Sequence, residues 1–402
     1  MIEQADILDA EMHLHSGIRK TPFLDSRYFS QVTGADVWLL NEAAQRTGSY
    51  KIRGAWNAMR KLSPTELGRG VITASAGNHA QGVALAAKWI GCKATIVMPL
   101  TTPLVKVDQT RSYNSPAILL YGENYDEAAE HAAQLQRKTG ATYIHPFDND
   151  DVIAGQGTVG LHILRHHSDV ETIIVPVGGG GLISGICVAI KAVNRKISII
   201  GVNASGAASA ARSFREQSRI RLDNVNTIAD GIRVQQIGER TFDIISKYVD
   251  DVLEVSDDQI CEALLLLEEK PKLIIEPAGA TGVAALLASA ERFARKKTMV
   301  VLTGANVDFS VMQKLMAHAM RLSGRLTTIE VQLADNMSSL AGLTKILADA
   351  QGIIISIDLR RNKVGMPLER MVCMLDLQAR SSGHMQEILD AMRNGDMTFF
   401  IV

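Results

Sequence analysis

The chain has 402 residues, 47% of them hydrophobic, and its 42 basic and 43 acidic side chains leave a net charge of −1. That length exceeds one ordinary domain and can bury a large core, while no tail or block of charge points to nucleic acid or a membrane. Four cysteines, Cys92, Cys187, Cys261 and Cys373, lie far apart with no C-x-x-C pair, a usage that fits a reducing cytoplasm and not a disulfide scaffold.

The N-terminus carries Glu3, Asp6 and Asp9 and lacks the basic-then-apolar pattern of a secretory leader. The first chemical signal is Gly48-Ser49-Tyr50-Lys51-Ile52-Arg53-Gly54-Ala55. A lysine between small residues and beside an aromatic ring suits a Schiff base with a planar aldehyde; by itself the octapeptide is also a helix start with a solvated lysine. Next, the apolar run Gly70 to Ala74 leads through Ser75-Ala76-Gly77-Asn78-His79 into a helical pattern, Ala80 to Ile90. Strand candidates follow at Ala94–Pro99, Ala117–Gly122, Thr142–Phe147, Thr172–Val177, Ser198–Ala204 and Thr298–Thr303. Between them Asn124–Arg137, Val152–His166, Ile183–Val193 and Gln259–Leu267 read as helices. Such alternation predicts an α/β fold with a parallel sheet covered by helices, whose ligands gather at the carboxyl ends of the strands. The longest uncharged stretch, Thr172 to Ile190, is interrupted by Pro176 and four glycines and is not a membrane span.

Gly178-Gly179-Gly180-Gly181-Leu182 joins a strand candidate to a helix candidate. Strand, glycine turn and helix together aim backbone N–H groups at an anion, and four glycines would let a phosphate approach the main chain with no Cβ in the way. The spacing is not that of a dinucleotide site, because Ile183 and Ser184 stand where a third glycine is needed, and no P-loop lysine is present. Thr303-Gly304-Ala305-Asn306 ends the last strand candidate of this region. Some residues have a plain structural reading: His166-His167 and Lys296-Lys297 as solvated helix ends, His145 as a structural histidine. Glu276, between an apolar run and Pro277, is open between a site residue and a structural carboxylate.

From Leu326 the pattern becomes strand (Ile329, Val331, Leu333), helix (Leu340, Leu343, Ile346, Leu347), strand (Ile353–Leu359), strand (Glu369–Gln378), helix (Met385, Ile388, Leu389, Met392) and strand (Met397–Val402). This is βαββαβ, a ferredoxin-like plan.

The lysine octapeptide, the Ser75–His79 loop, the tetraglycine and Thr303, in this order, resemble the threonine and serine dehydratases, the pyridoxal-phosphate enzymes of fold type II related to the tryptophan synthase β subunit. The resemblance covers roughly residues 5 to 320 and includes Met98-Pro99, Tyr121-Gly122, His145-Pro146-Phe147, Gly155-Gln156-Gly157-Thr158 and Ile275-Glu276-Pro277-Ala278-Gly279. It implies a catalytic domain of residues 1–320, with a smaller mobile subdomain at about 50–145. It also implies pyridoxal 5'-phosphate held covalently by Lys51, with Tyr50 against its ring, Asn78 on its phenolic oxygen, Gly178, Gly179, Gly180, Gly181 and Leu182 around its phosphate, and Thr303 facing its pyridine nitrogen. Ser75, Ala76, Gly77, Asn78 and His79 would receive the substrate carboxylate through main-chain N–H groups. Lys51 would then take the α-proton, and the expected reaction is dehydration and deamination of L-threonine to 2-oxobutanoate and ammonia, with L-serine also accepted. A serine- or 3-hydroxyaspartate-preferring lyase, or an inactive amino-acid sensor, is the alternative. Racemisation is disfavoured by Ala76, which stands where the racemase branch has serine. Sulfhydrylase chemistry is disfavoured by His79-Ala80-Gln81, which follows Asn78 in place of Thr-Gly.

Residues 326–402 resemble the ACT regulatory domain, which implies an amino-acid effector, isoleucine or valine, and a homodimer or homotetramer. Their first turn reads Asp335-Asn336-Met337-Ser338-Ser339-Leu340 and lacks the glycine of the Asp-x-Pro-Gly-x-Leu form, so a dimerisation module is the competing reading. No divalent metal is expected at Gly201–Ala207, where the family's acidic residues are missing.

Overall fold

The computed structural model describes residues 1–113, 116–361 and 367–402. The chain divides into two compact units, Met1–Asp308 and Phe309–Val402. In the first, a six-stranded sheet runs in the order Phe23–Asp25, Asp36–Asn41, Lys297–Leu302, Thr172–Pro176, Ser198–Ala204, Asp251–Val255. Only the first pair is antiparallel. The central strands are near-continuous apolar runs because helices cover both faces, and Ile173, Val175, Ile199, Met299 and Val301 share one core with Ile183, Ile186 and Ile190.

A second, four-stranded parallel sheet has the order Ala117–Leu120, Ala94–Met98, Val71–Ala74, Thr142–Tyr143. Its last strand is shorter than the expected Thr142–Phe147. Pro146 has no N–H to give to a ladder, and the His145 Nδ1 accepts from the N–H groups of Phe147 (3.3 Å) and Asp148 (2.8 Å), turning the chain out of the sheet. Asp36–Asn41 and Asp251–Val255 were not anticipated; the first gains its place by pairing in register with Lys297–Leu302, some two-thirds of the chain away.

Helix Lys51–Arg60 packs between helices Asn78–Ile90 and Asp150–His166. The crossing with Asp150–His166 is close: a Cβ added to Gly155 would lie 2.6 Å from the Gly54 Cα, so only glycine lets the two backbones meet. Helix Asp150–His166 in turn packs along Gly181–Val193, which fixes the distance from the lysine helix to the tetraglycine turn.

The second unit carries helix Phe309–Leu322 and then the expected βαββαβ. Its antiparallel sheet has the order Ile353–Arg360, Arg370–Gln378, Leu326–Ala334, Thr398–Ile401. Alternation along Ile329, Val331 and Leu333 buries one sheet face, against Leu343, Leu347, Met385, Ile388, Leu389 and Met392 of its two helices. Among the described residues, no helix is long and apolar enough to cross a membrane.

Candidate active site

The segment before the lysine helix is held to the end of a large-sheet strand. Tyr50 N–H donates to the Thr303 carbonyl at 3.3 Å, Ala305 N–H to the Gly48 carbonyl at 2.9 Å, and Ser49 bridges Gly304. Lys51, the first residue of its helix, thereby sits beside the buried Thr303. Its Nζ donates to the Pro146 carbonyl at 2.9 Å and lies 5.4 Å from the centroid of the Tyr50 ring. Burial lowers the pKa of this amine to about 8, against the opposing pull of Glu276. Burial raises the Tyr50 phenol in the other direction, because desolvation disfavours whichever form is charged.

Two histidines flank the amine and stay neutral. Burial pushes His79 down to about 3 and His145 to about 4, and the positive Lys51 adds to both shifts. His79 Nε2 is 2.9 Å from the Ile144 carbonyl, which ties one ring nitrogen beside the small sheet. Leu182 is confined to its main chain, since its side chain belongs to the large core.

Glu276 is 3% exposed. Its Oε1 accepts from Asn78 Nδ2 at 2.7 Å, and burial, helped by Asp230, raises its carboxyl to about 7. Asn306 Nδ2 donates to the Asn78 Oδ1 and to the Thr47 carbonyl, both at 2.6 Å. The structure thus puts Glu276 at the site, where the sequence had left it open, and adds Asn306 and the Pro146 carbonyl, which had no assigned role. An acid followed by proline at the end of an apolar run was the one local signal; nothing local marks Asn306.

Gly77 precedes helix Asn78–Ile90, and a Cβ built on it would meet nothing within 4 Å, so the loop is open on that side. Ser75 Oγ accepts from Gly77 N–H at 3.3 Å, while Ala76 packs against the small-lobe cluster of Ala80, Ala84, Ile96, Met98 and Val107. The Asn78 and His79 N–H groups lie in a first helical turn, where no intrahelical acceptor exists.

The tetraglycine corrects one expectation. Its missing Cβ atoms do not leave room for a ligand; protein fills those positions. They would meet Ile232 at Gly178, the Phe147 ring at Gly179, Thr241 and Ile245 at Gly180, and the Phe147 backbone at Gly181. Gly180 also has φ +93°, and Thr241 Oγ1 donates to the Gly179 carbonyl at 2.7 Å. The glycines serve close packing and a left-handed turn, and what they free is the set of first-turn N–H groups at Gly181 and Leu182. Phe147, packed on this turn, follows Pro146, whose carbonyl holds Lys51, so the two motifs meet through adjacent residues.

Two plain readings also change. His167 is buried, with its ring centroid 4.7 Å from Phe23 and 4.4 Å from Trp38, because the antiparallel pair of strands covers it; His166 alone is exposed. Lys297 begins a strand and pairs with Asp169 at 2.7 Å, so it is not a helix end.

An aldehyde, a phenolate and a phosphate require an amine, a hydrogen-bond donor and bare N–H groups, respectively. Lys51, Asn78 Nδ2 and the first turn at Gly181 and Leu182 supply these types, so the residues fit pyridoxal phosphate. The family profile described as pyridoxal-phosphate dependent enzyme matches residues 14–304. The chain is 41% identical over 388 residues to an L-threonine ammonia-lyase of Thermotoga maritima, covering 96% of each. It is 39% identical over 393 residues to one of Geobacter sulfurreducens, covering 98% of each. Among solved structures, the processed form of threonine deaminase isoform 2 from Solanum lycopersicum superposes with a TM-score of 0.75 at 40% identity, over 78% of this chain and 92% of that one. Maize serine racemase gives 0.74 at 35% identity, over 80% and 98%. With its lysine, asparagine and glycine turn linked through Pro146, Phe147 and Glu276 and a profile match across most of its length, the chain belongs to the pyridoxal-phosphate dependent enzymes.

Proposed function

We propose that the chain is an L-threonine ammonia-lyase that forms 2-oxobutanoate and ammonia and also turns over L-serine. The observation that carries this is Lys51: an amine lowered to about 8, placed between Thr303 and the Asn78 loop. The names borne by relatives at about 40% identity across nearly the whole chain support threonine as substrate.

Pyridoxal phosphate, when bound, supplies an electron sink for negative charge at the substrate Cα. The rest falls to the protein. Main-chain N–H groups of Ala76, Asn78 and His79 hold the substrate carboxylate, since those of Ser75 and Gly77 are spent on the Val97 carbonyl and the Ser75 Oγ. With its pKa lowered to about 8, the Lys51 amine has an unprotonated fraction of roughly a tenth at neutral pH and would take the α-proton. Protonated by that transfer, it holds in the same crevice the proton that the departing β-hydroxyl needs to leave as water. Hydrolysis of the released enamine's imine form consumes one water, so the water lost is regained. Ala76, whose methyl packs against the small-lobe cluster, brings no proton donor, which favours elimination over racemisation.

The finer reading extends beyond the site. Residues of about 50–145 act as a mobile lobe, and 326–402 as an ACT-like module that binds isoleucine or valine in a cytoplasmic homodimer or homotetramer. The test is threonine turnover by the purified protein and by Lys51→Ala, followed as 2-oxobutanoate. Loss of a positioned base costs roughly 100- to 10,000-fold, and near-normal turnover by the variant would remove Lys51 from the mechanism.

A further inference from the structure

The Asn78 side chain can be oriented in two ways, and which way it points decides whether the crevice offers a hydrogen-bond donor or an acceptor. Its amide lies in a chain of four groups. Asn306 Nδ2 spends one N–H on the Thr47 carbonyl and the other on Asn78 Oδ1, each at 2.6 Å. Asn78 Nδ2 then spends one N–H on Glu276 Oε1, at 2.7 Å. A backbone carbonyl has no hydrogen to give, so the Thr47 end accepts and sets the Asn306 amide. At the other end the Glu276 carboxyl also receives a hydrogen bond from the Asn306 backbone. The Thr47 end therefore imposes one polarity that the Glu276 carboxyl accepts, and an Asn78 amide turned the other way would set two N–H groups against each other at Asn306. One N–H of Asn78 remains unspent.

We infer that Glu276 and Asn306 are positioning residues that lock the Asn78 amide so that its free N–H, and not its carbonyl, is offered to the cofactor's phenolic oxygen. The inference rests on the assignment of Asn78 to that oxygen. A fixed donor favours the ionised oxygen. The network also spans the fold: Asn78 comes from the small-sheet lobe, Glu276 from the start of helix Pro277–Ala288, and Asn306 from beyond strand Lys297–Leu302. Cofactor chemistry and lobe placement are thereby joined through one amide.

The test uses the full chain with cofactor removed and then titrated back with pyridoxal phosphate. Two readings are taken: the dissociation constant, and the ratio of the visible to the near-ultraviolet band of the bound cofactor, which reports whether its phenolic oxygen is ionised. Glu276→Gln keeps an acceptor oxygen and should retain the native band ratio. Glu276→Leu and Asn306→Ala release one side of the amide each. They should weaken binding about 10- to 100-fold, the range for a hydrogen bond to a charged group, and shift absorbance out of the visible band. Asn306→Ala, at a half-buried position, keeps the test valid if Glu276→Leu does not fold. A merely structural network would weaken binding without moving the band ratio, and that result overturns the inference. Native affinity and spectrum in Asn306→Ala, with Asn78→Ala impaired, also overturns it and leaves the Asn78 assignment standing. Native behaviour in Asn78→Ala overturns both.

Discussion

Gly180→Ala tests the corrected role of the tetraglycine. Gly180 has φ +93°, a region that costs a residue with a Cβ about 1–2 kcal/mol. The added methyl would also lie 2.8 Å from the Thr241 Cβ and 2.8 Å from the Ile245 Cδ1, and overpacking of this kind costs about 1–3 kcal/mol. The sum is about 2–5 kcal/mol, which for a unit of this size lowers the melting temperature by about 3–8 °C. The strain falls on the turn that presents the first-turn N–H groups, so cofactor affinity should drop at least about tenfold as well. Thermal melts of the apoprotein and titration with pyridoxal phosphate read the two effects. Adding Ile245→Val, which removes one of the two contacts, should recover part of the stability. Unchanged melting in Gly180→Ala would refute the packing argument, and unchanged affinity with lowered stability would remove the turn from the phosphate site.

Other consequences are equally measurable. The Glu276 carboxyl, raised from 4.5 to about 7, keeps a proton in the folded apoprotein that the unfolded chain has released, so its contribution to stability falls as pH rises through that window; the melting difference between wild type and Glu276→Gln should decline over about pH 5 to 7, and a flat difference would contradict the buried acid. Glu42 and Arg53 form a fully buried pair, with Nε to Oε2 at 2.9 Å and Nη2 to Oε1 at 2.8 Å, two residues beyond Lys51. Glu42→Ala strands the guanidinium and should cost about 3–5 kcal/mol in denaturant unfolding, whereas a loss under about 1 kcal/mol would mean the site relaxes. A chain ending at Asp308, the boundary of the first unit, should keep threonine turnover and lose any response to isoleucine or valine; a truncated enzyme that still responds would move the effector site into the first unit.

Elements were legible where local pattern and final environment agree. Thr172–Pro176 and Ser198–Ala204 are apolar runs that are buried on both faces, and the βαββαβ of the second unit could be read from alternation at Ile329, Val331 and Leu333. Asp36–Asn41 was missed although the left-handed Gly34 stands just before it, and its place in the sheet comes from pairing with Lys297–Leu302. Thr142–Phe147 was overextended because apolar content says nothing about where His145 turns the chain.

The residue types and their order determined the chemistry: an amine at Lys51, an amide at Asn78, bare backbone at Gly178–Gly181 and a hydroxyl at Thr303, each at the end of a strand or the start of a helix. Those are covalent properties, present in the unfolded chain. Only the tertiary structure decided that protein, not ligand, fills the Cβ positions of the tetraglycine, that Glu276 is buried with its carboxyl raised to about 7, and that Asn306 donates to Asn78. Burial and hydrogen-bond direction are relations between groups some 200 residues apart, and such groups acquire a shared environment only when the sheets and helices that carry them have packed.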